Sequence, residues 1–150
     1  MKYDISALGN ALVDTQYMVD HDFLDEIGLE ADSMTLASAE EHSPIIDKLQ
    51  SMGVESVSDC GGSATNSLVA ASYYGSKCHH VCRVANDEDG KKYLESLQKA
   101  GVQHIGYSKE DSEMPTGKCL IFVTPDAKRT MSSMLGISAY LGSKDINYDA

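Results

Sequence analysis

The chain has 150 residues, of which 42 % are hydrophobic and 23 % are charged, a balance typical of soluble globular proteins. Its 23 Asp and Glu residues outnumber its 12 Lys and Arg residues, and the formal net charge at pH 7 is −11. This acidity argues against nucleic acid or an anionic membrane as a general partner, because both are themselves negatively charged.

The sequence predicts neither export nor membrane insertion. The N-terminal stretch MKYDISALGN contains Asp4 and lacks the continuous apolar segment of a secretory signal. No apolar run approaches the ~20 residues that a membrane-spanning helix requires. The four cysteines are therefore expected to be reduced thiols in a cytoplasmic protein: Cys60, Cys78, Cys82 and Cys119.

Short strands and one helix are predicted in the first third of the chain. KYDISALG alternates polar and apolar residues and ends at Gly9, which predicts a first strand. TQYMVD and SMTLAS predict two more, separated by the polar stretch HDFLDEIGLEAD. Residues 38–41 have the spacing of a capping box, but Pro44 interrupts the apolar pattern that follows. The helix is therefore expected to begin only at Ser43.

Strands and helices alternate in the rest of the chain. VESVSDC, KCHHVCRV, VQHIGYS, KCLIFVTP and RTMSSML read as strands. Helices are predicted from Asn66 to Tyr74, ending at Gly75, and from a cap at Asp87 to Gly101. Strands alternating with helices favour an α/β fold with a parallel sheet, and the extra short strands suggest a small second sheet.

Two adjacent glycines stand before a predicted helix in CGGSATN. The stretch lacks the Lys-Ser or Lys-Thr of a P-loop, and G-x-G-x-x-G is absent. A structural turn is the more common meaning of such glycines. However, the missing Cβ atoms of Gly61 and Gly62 would let a ligand touch the backbone, and the Asn66 amide can donate and accept hydrogen bonds. The combination suits a neutral polyol better than an isolated phosphate.

Asn10 and Asp14 follow the first predicted strand, in GNALVD. A side chain just beyond the carboxyl end of a strand lies where open α/β sheets bind ligands. The Asp14 carboxylate could accept hydrogen bonds from two neighbouring hydroxyls, as in a ribose or hexose diol. The alternative is that Asp14 caps a local turn.

Two further clusters could carry chemistry. CHHVC, residues 78–82, has no second Cys/His pair to complete a zinc site, so a buried strand is expected and no metal ligand is assigned. Lys128 and Arg129 lie in a predicted hairpin turn, which is the simplest account of that pair. Arg129 could instead reach a phosphate with its planar guanidinium.

GNALVD, GGSATNSLVAASYYG, RVANDEDGKKYLESLQKAGV and PTGKCLIFVTPDAKRTM occur in this order, and the chain resembles the ribokinase/PfkB carbohydrate kinase family over essentially its whole length. GNALVD is similar to the adenosine-kinase-like branch. The resemblance implies an α/β sandwich with a central, mainly parallel sheet and a small β-sheet lid. The lid strands would lie at about residues 15–37, 54–60 and 103–115.

The same resemblance implies ATP-dependent phosphorylation of a hydroxymethyl group on a sugar or nucleoside, with Mg²⁺ and ATP expected for the complete protein. Asp14 and Asn66 would bind sugar hydroxyls, Asn10 would line the pocket, and Gly61 and Gly62 would let the sugar approach the backbone. Arg129 would face the transferred phosphate, and a homodimer through the lid is a further expectation.

The family's Gly-Ala-Gly-Asp element, which supplies the catalytic Asp base, is absent from these 150 residues. Residues 1–150 are therefore expected to be the N-terminal, substrate-binding half of the kinase, without the ATP-binding half and inactive alone. The alternative is a non-catalytic module that binds a sugar or nucleoside. A nucleotide-dependent oxidoreductase is disfavoured because G-x-G-x-x-G is missing.

Overall fold

The computed structural model describes residues 3–107 and 113–146. Its strands are β1 (Ile5–Leu8), β2 (Leu12–Met18), β3 (Met34–Leu36), β4 (Ser56–Gly61), β5 (Cys78–Val81), β6 (Gln103–His104), β7 (Gly117–Val123) and β8 (Arg129–Met134). Its α-helices are α1 (His21–Glu26), α2 (Ala39–Ser51), α3 (Ser63–Tyr73) and α4 (Glu88–Lys99). Within this described part, no helix is long and apolar enough to cross a membrane.

The described strands form two sheets, a parallel sheet of three strands and a mixed sheet of five. One sheet has the order β1-β5-β6 and is parallel throughout. The other has the order β3-β8-β7-β2-β4 and is mixed, with β3 parallel and β7 antiparallel to β8. The predicted fold class is thereby confirmed. The predicted hairpin around Lys128 and Arg129 is also present, as the turn between β7 and β8.

The described residues of 3–13, 59–107, 113–117 and 135–146 form one compact unit, here called unit 1. Its core is built from the buried strand β5 and the apolar faces of α3 and α4, with Cys78, Leu68 and Leu97 fully buried. Asp87 caps α4, as predicted: its carboxylate accepts hydrogen bonds from the Gly90 N–H at 2.7 Å and from Thr116.

Residues 14–58 and 118–134 form the second compact unit, unit 2. Its core is an aromatic cluster on one face of the mixed sheet. The ring centroid of Phe122 lies 6.2 Å from that of Tyr17 and 5.9 Å from that of Phe23. Leu24 of α1 and Leu49 of α2 complete this core, so both helices cover the same face of the sheet.

Helix α2 begins earlier than expected. It starts at Ala39 and contains Pro44, because Ser38 and Glu41 form a reciprocal capping box that fixes the helix start upstream of the proline. The backbone N–H of Ser38 donates to the Glu41 carboxylate at 2.7 Å, and the Glu41 N–H donates to the Ser38 hydroxyl at 3.2 Å. The expected start at Ser43 is therefore corrected.

Two further differences concern the short strands. HDFLDEIGLEAD, expected to be a polar connection, contains the helix α1, whose first turn is capped by the Asp20 carboxylate. Strand β6 pairs with β5 in the parallel sheet and not with the short strands of unit 2, so the placement of residues 103–115 with the lid is corrected at this point. Residues 108–112 lie outside the described part of the chain.

Candidate functional site

The two glycines of CGGSATN lie between the end of β4 and the start of α3, a segment here called the glycine turn. Gly61 is the last residue of β4, and Gly62 is the N-cap of α3. Asn66 closes the first turn of the helix, because its backbone N–H donates to the Gly62 carbonyl at 2.9 Å. Its side chain is exposed, so the Asn66 amide is accessible to a ligand.

Close packing explains why position 62 holds a glycine. Gly62 has a φ of 100°, a backbone conformation that residues with a Cβ rarely adopt. A Cβ at this position would lie 2.4 Å from the carbonyl oxygen of Asn10 and 3.4 Å from Thr65 Oγ1. Gly62 therefore has a structural role that needs no ligand, and it brings two of the expected site residues, Asn10 and Gly62, into contact.

The loop after β1 approaches α3 at a second glycine. A Cβ on Gly9 would lie 2.6 Å from Cβ of Ala64, in the first turn of α3. Within unit 1, the structure thus brings together the loop that carries Asn10 and the helix start that carries Asn66. The side chains of Asn10 and Asn66 are both exposed, so each carboxamide can donate and accept hydrogen bonds at the surface.

Asp14 belongs to unit 2, where strand alternation determines which way it faces. Tyr17 points into the aromatic core, so Asp14 and Met18 lie on the opposite face of the sheet. Asp14 is half-buried there, whereas Met18 is largely exposed. The sheet of unit 2 therefore has one face covered by helices and another that carries the Asp14 carboxylate.

Strands β8 and β3 extend this second face. Thr130 pairs with Phe122 of the core, so Arg129 points to the other side of the sheet. β3 lies parallel to β8 in a register that puts Met34 and Leu36 on the side of Arg129. The surface formed in this way, here called the open face, is defined by Asp14, Met18, Met34, Leu36 and Arg129.

The Cys119 thiol lies on the same side of the sheet and responds to the charges around it. Burial raises the pKa of Cys119, a hydrogen bond from Ser133 lowers it, the Asp14 carboxylate raises it and the Arg129 guanidinium lowers it. Cys119 is therefore a protonated thiol at neutral pH, and it lies within the electrostatic reach of both expected site residues of unit 2. Nothing in the sequence singled out Cys119 beyond its place in a buried strand.

The CHHVC stretch has no geometry for a metal. Cys78 and Cys82 are packed in the core of unit 1, and burial raises the pKa of both thiols, that of Cys82 to about 12. His80 is bonded to Thr65, and His79 is stacked on Tyr3. In residues 3–107 and 113–146, no three carboxylate, imidazole or thiol side chains are grouped as a metal site.

The sequence analysis did not identify the buried residues that pack against the glycine turn. Thr65 precedes Asn66, and its buried hydroxyl contacts both His80 and Tyr93. A threonine in the first turn of a helix has no obvious function when it is read in a sequence. Its distant partners become visible only in three dimensions.

Comparison with known proteins places these features in a family. The sequence profile of the pfkB family carbohydrate kinases matches residues 33–149. The crystal structure of adenosine kinase from Sinorhizobium meliloti is similar to this chain with a TM-score of 0.84 and 30 % identity, over 98 % of this chain and 43 % of that one.

Two curated relatives of the chain are likewise an adenosine kinase and a ribokinase. Adenosine kinase 1 of Arabidopsis thaliana is 28 % identical over 137 residues, which are 89 % of this chain and 38 % of that protein. The ribokinase of Mus musculus is 30 % identical over 88 residues, which are 57 % of this chain and 26 % of that protein. The chain thus spans well under half the length of these relatives. Because the family profile covers most of its residues, the chain belongs to the pfkB family of carbohydrate kinases.

Proposed function

We propose that this chain is the substrate-binding part of a kinase that transfers a phosphoryl group from ATP to the hydroxymethyl group of a nucleoside. The observation that carries this proposal is the composition of the open face. A carboxylate, Asp14, shares that face with apolar side chains that are left in contact with solvent. Each half of this surface suits a different half of a nucleoside.

The polar half suits the ribose. An ionised carboxylate has two acceptor oxygens and can bind the two hydroxyls of a cis-diol at once. Asp14 is half-buried, so such hydrogen bonds would be partly protected from water.

The apolar half suits the base. Met18 is 61 %, Met34 58 % and Leu36 67 % exposed, which leaves a group of flexible apolar side chains on the surface. Exposed apolar groups of this kind mark ligand or partner sites, and methionine adapts its shape to flat aromatic rings. A free sugar has no flat aromatic ring to cover them. The open face therefore favours a nucleoside over ribose or a hexose, in agreement with the adenosine kinases among the relatives.

Unit 1 by itself also carries groups that can bind hydroxyls. Asn10 and Asn66 expose carboxamides that can donate to and accept from hydroxyl groups. We assign them, with Gly61 and Gly62, to the binding of the sugar moiety. Arg129 is exposed and is assigned to the phosphoryl group that is transferred, since its guanidinium matches phosphate geometry.

Catalysis is assigned to a part of the domain that these 150 residues do not contain. The Gly-Ala-Gly-Asp element is missing from the sequence, and the relatives are more than twice as long as the matched region. Strand β1 lies at the edge of its sheet, and Ile5 and Leu8 on it are exposed, which suits a strand that further protein would cover. We therefore propose that ATP and Mg²⁺ bind outside this chain, in a cytoplasmic kinase.

Titration of the purified chain with adenosine, ribose and 2′,3′-dideoxyadenosine, by isothermal titration calorimetry, tests the proposal. We expect adenosine to bind, ribose to bind more weakly and the dideoxy analogue to bind at least about tenfold more weakly than adenosine, because Asp14 loses its diol. Equal affinity for adenosine and its dideoxy analogue would contradict the role of Asp14. Measurement of ADP release with Mg²⁺, ATP and adenosine should show no turnover by the chain alone.

A non-catalytic module that binds a sugar or nucleoside is the alternative. The two proposals differ in the parent gene. A reading frame that encodes that element after Ala150 supports the kinase, and a natural stop codon at this point supports the binding module.

We also propose that unit 2 forms a homodimer. Strands β3 and β4 are at the two ends of the strand order of the mixed sheet, and Val57 of β4 is largely exposed. Exposed edge strands can pair with a second copy of the same chain. Sedimentation equilibrium that shows a monomer at all accessible concentrations would contradict this.

A further inference from the structure

A network of hydrogen-bonded, buried polar side chains lies beside the glycine turn in unit 1. Thr65 Oγ1 is 3.0 Å from His80 Nε2 and 2.7 Å from the Tyr93 hydroxyl, and His80 Nδ1 is 3.3 Å from the carbonyl oxygen of Ala7. Thr65, His80 and Tyr93 are all fully buried. Their hydrogen bonds connect β1, α3, β5 and α4.

The partners determine which atom donates in each of these bonds. A carbonyl oxygen can only accept, so His80 carries its proton on Nδ1. Burial lowers the pKa of His80, so the ring is neutral and its Nε2 is an acceptor. Thr65 therefore donates to His80, and its oxygen accepts from the Tyr93 hydroxyl. The hydroxyls of Thr65 and Tyr93 and both ring nitrogens of His80 thus have partners, which is the condition for burying such groups.

Thr65 connects this network to the glycine turn. It occupies the first turn of α3, directly before Asn66, and its Oγ1 is in van der Waals contact with the position that a Cβ of Gly62 would take. The other end of the network, at Ala7, is two residues from Gly9, which packs against Ala64 of the same helical turn. The network therefore holds both backbone segments that form the unit 1 part of the candidate site.

We propose that Thr65, His80 and Tyr93 are positioning residues, which hold the glycine turn and the side-chain carboxamide of Asn66 in the conformation that binds the nucleoside. The proposal rests on the function proposed above, because that function supplies the ligand. All three side chains are buried, so they act through Asn66 and the turn. A buried network of this kind is sensitive to the loss of one member, because a remaining polar atom such as His80 Nε2 is left without its partner.

Thr65→Val is the principal variant. Valine has nearly the shape of threonine but no hydroxyl, so His80 Nε2 loses its donor and Tyr93 loses its acceptor at position 65. Thr65→Ser keeps the hydroxyl and serves as the rescue. Ser72→Ala is the matched control: it also removes a hydroxyl from α3, one that donates to the Ala100 carbonyl at 2.7 Å outside the network.

Two measurements distinguish the effect of the network on the glycine turn from its effect on ligand binding. The first, without ligand, is hydrogen exchange of the backbone N–H of Asn66, followed by NMR. That N–H forms the first hydrogen bond of the helix, to the Gly62 carbonyl. The second is the affinity for adenosine by calorimetry. For Thr65→Val we expect Asn66 exchange about tenfold faster and binding about tenfold weaker. Thr65→Ser and Ser72→Ala should stay within about twofold of the original chain in both.

The outcomes are distinct. Unchanged Asn66 exchange and affinity in Thr65→Val would overturn the proposal, as would an equal effect of Ser72→Ala. Faster Asn66 exchange with unchanged adenosine affinity would also overturn it, because the network would then be purely structural. If the original chain binds neither adenosine nor ribose, the proposed function fails, while faster exchange in Thr65→Val still supports the network as the anchor of the turn.

A Thr65→Val chain that does not fold, as judged by circular dichroism, is replaced by Tyr93→Phe. This variant keeps the buried ring and removes one hydroxyl, which donates to Thr65. The expected changes have the same direction and are smaller, about threefold, since the bond between Thr65 and His80 is retained. No change in either measurement would overturn the proposal.

Discussion

The two units of the chain differ in what they bury and in what they leave exposed. Unit 1 contains a parallel sheet and buries a hydrogen-bonded network of Thr65, His80 and Tyr93 among its apolar side chains. Unit 2 contains a mixed sheet and buries an aromatic cluster around Phe122. Its other face carries the half-buried Asp14 carboxylate and the exposed side chains of Met18, Met34 and Leu36.

This difference indicates that the two units have different structural roles. Directional hydrogen bonds fix a backbone in one conformation, which suits the glycine turn and the first turn of α3. Apolar packing is not directional, but it stabilises a sheet from one side and leaves the other side available for a ligand.

Phe122→Ala should destabilise unit 2 by about 3–5 kcal/mol, because it leaves a cavity between Tyr17 and Phe23. Urea denaturation followed by circular dichroism measures the change. Met34→Ala, on the exposed side of the same sheet, is the control and should change stability by less than about 0.5 kcal/mol. Similar losses in the two variants would contradict the assignment of the covered and open faces.

Asp14→Ala should weaken adenosine binding by about 2–3 kcal/mol, roughly 30- to 150-fold, because two hydrogen bonds to a charged acceptor are lost. Asp14→Asn, which keeps one acceptor oxygen, should have a smaller effect. Asp25→Asn removes an exposed carboxylate of α1 in the same unit and should leave the affinity unchanged. Unaltered binding by Asp14→Ala, measured by calorimetry, would remove Asp14 from the site.

The sequence predicted the fold well where the signal was local or repeated. Alternating strands, helix caps at Ser38 and Asp87, and four motifs in order led to the α/β class and the family. It failed where a pairing partner decided the structure. The short strand at Gln103–His104 could join either sheet, and only its register with β5 assigns it.

The candidate site was predicted in part, and for a similar reason. The residue types of Asp14 and Asn66 suggest hydroxyl binding on their own, and their roles stay predictions. The true contact of Gly62, the carbonyl oxygen of Asn10, depends on a loop more than fifty positions away in the sequence. The network of Thr65, His80 and Tyr93 likewise spans three elements and leaves no periodic pattern to be read.

Stability should fall with acidification from neutral pH. Burial lowers the pKa of His79, His80 and His104 in unit 1 and of His42 in unit 2. An unfolded histidine titrates near pH 6.5, so the unfolded chain binds more protons as the pH falls towards the folded pKa values. The stability that these neutral rings contribute is complete above about pH 6.5 and is lost below it.

Each of these histidines should contribute a slope of up to about 1.4 kcal/mol per pH unit. Urea denaturation between about pH 5 and pH 7 measures the sum. His42→Gln should make the slope shallower by the amount that His42 contributes. The contribution of the three histidines of unit 1 should stay unchanged. A slope of zero, or a protein that is more stable at the acidic end, would contradict the neutral state of the buried rings.

The smallest expected effect tests the open face itself. Met34→Ser should weaken adenosine binding by about 1 kcal/mol, roughly fivefold, because part of the apolar surface that contacts the base is replaced by a polar group. Ribose affinity should not change, since a free sugar does not reach that side chain. Met52→Ser is the control, because Met52 is similarly exposed at the end of α2, away from the open face. If Met34→Ser weakens ribose and adenosine equally, the side chain supports the fold of the sheet. A selective loss of adenosine assigns the apolar half of the open face to the base and the Asp14 half to the sugar.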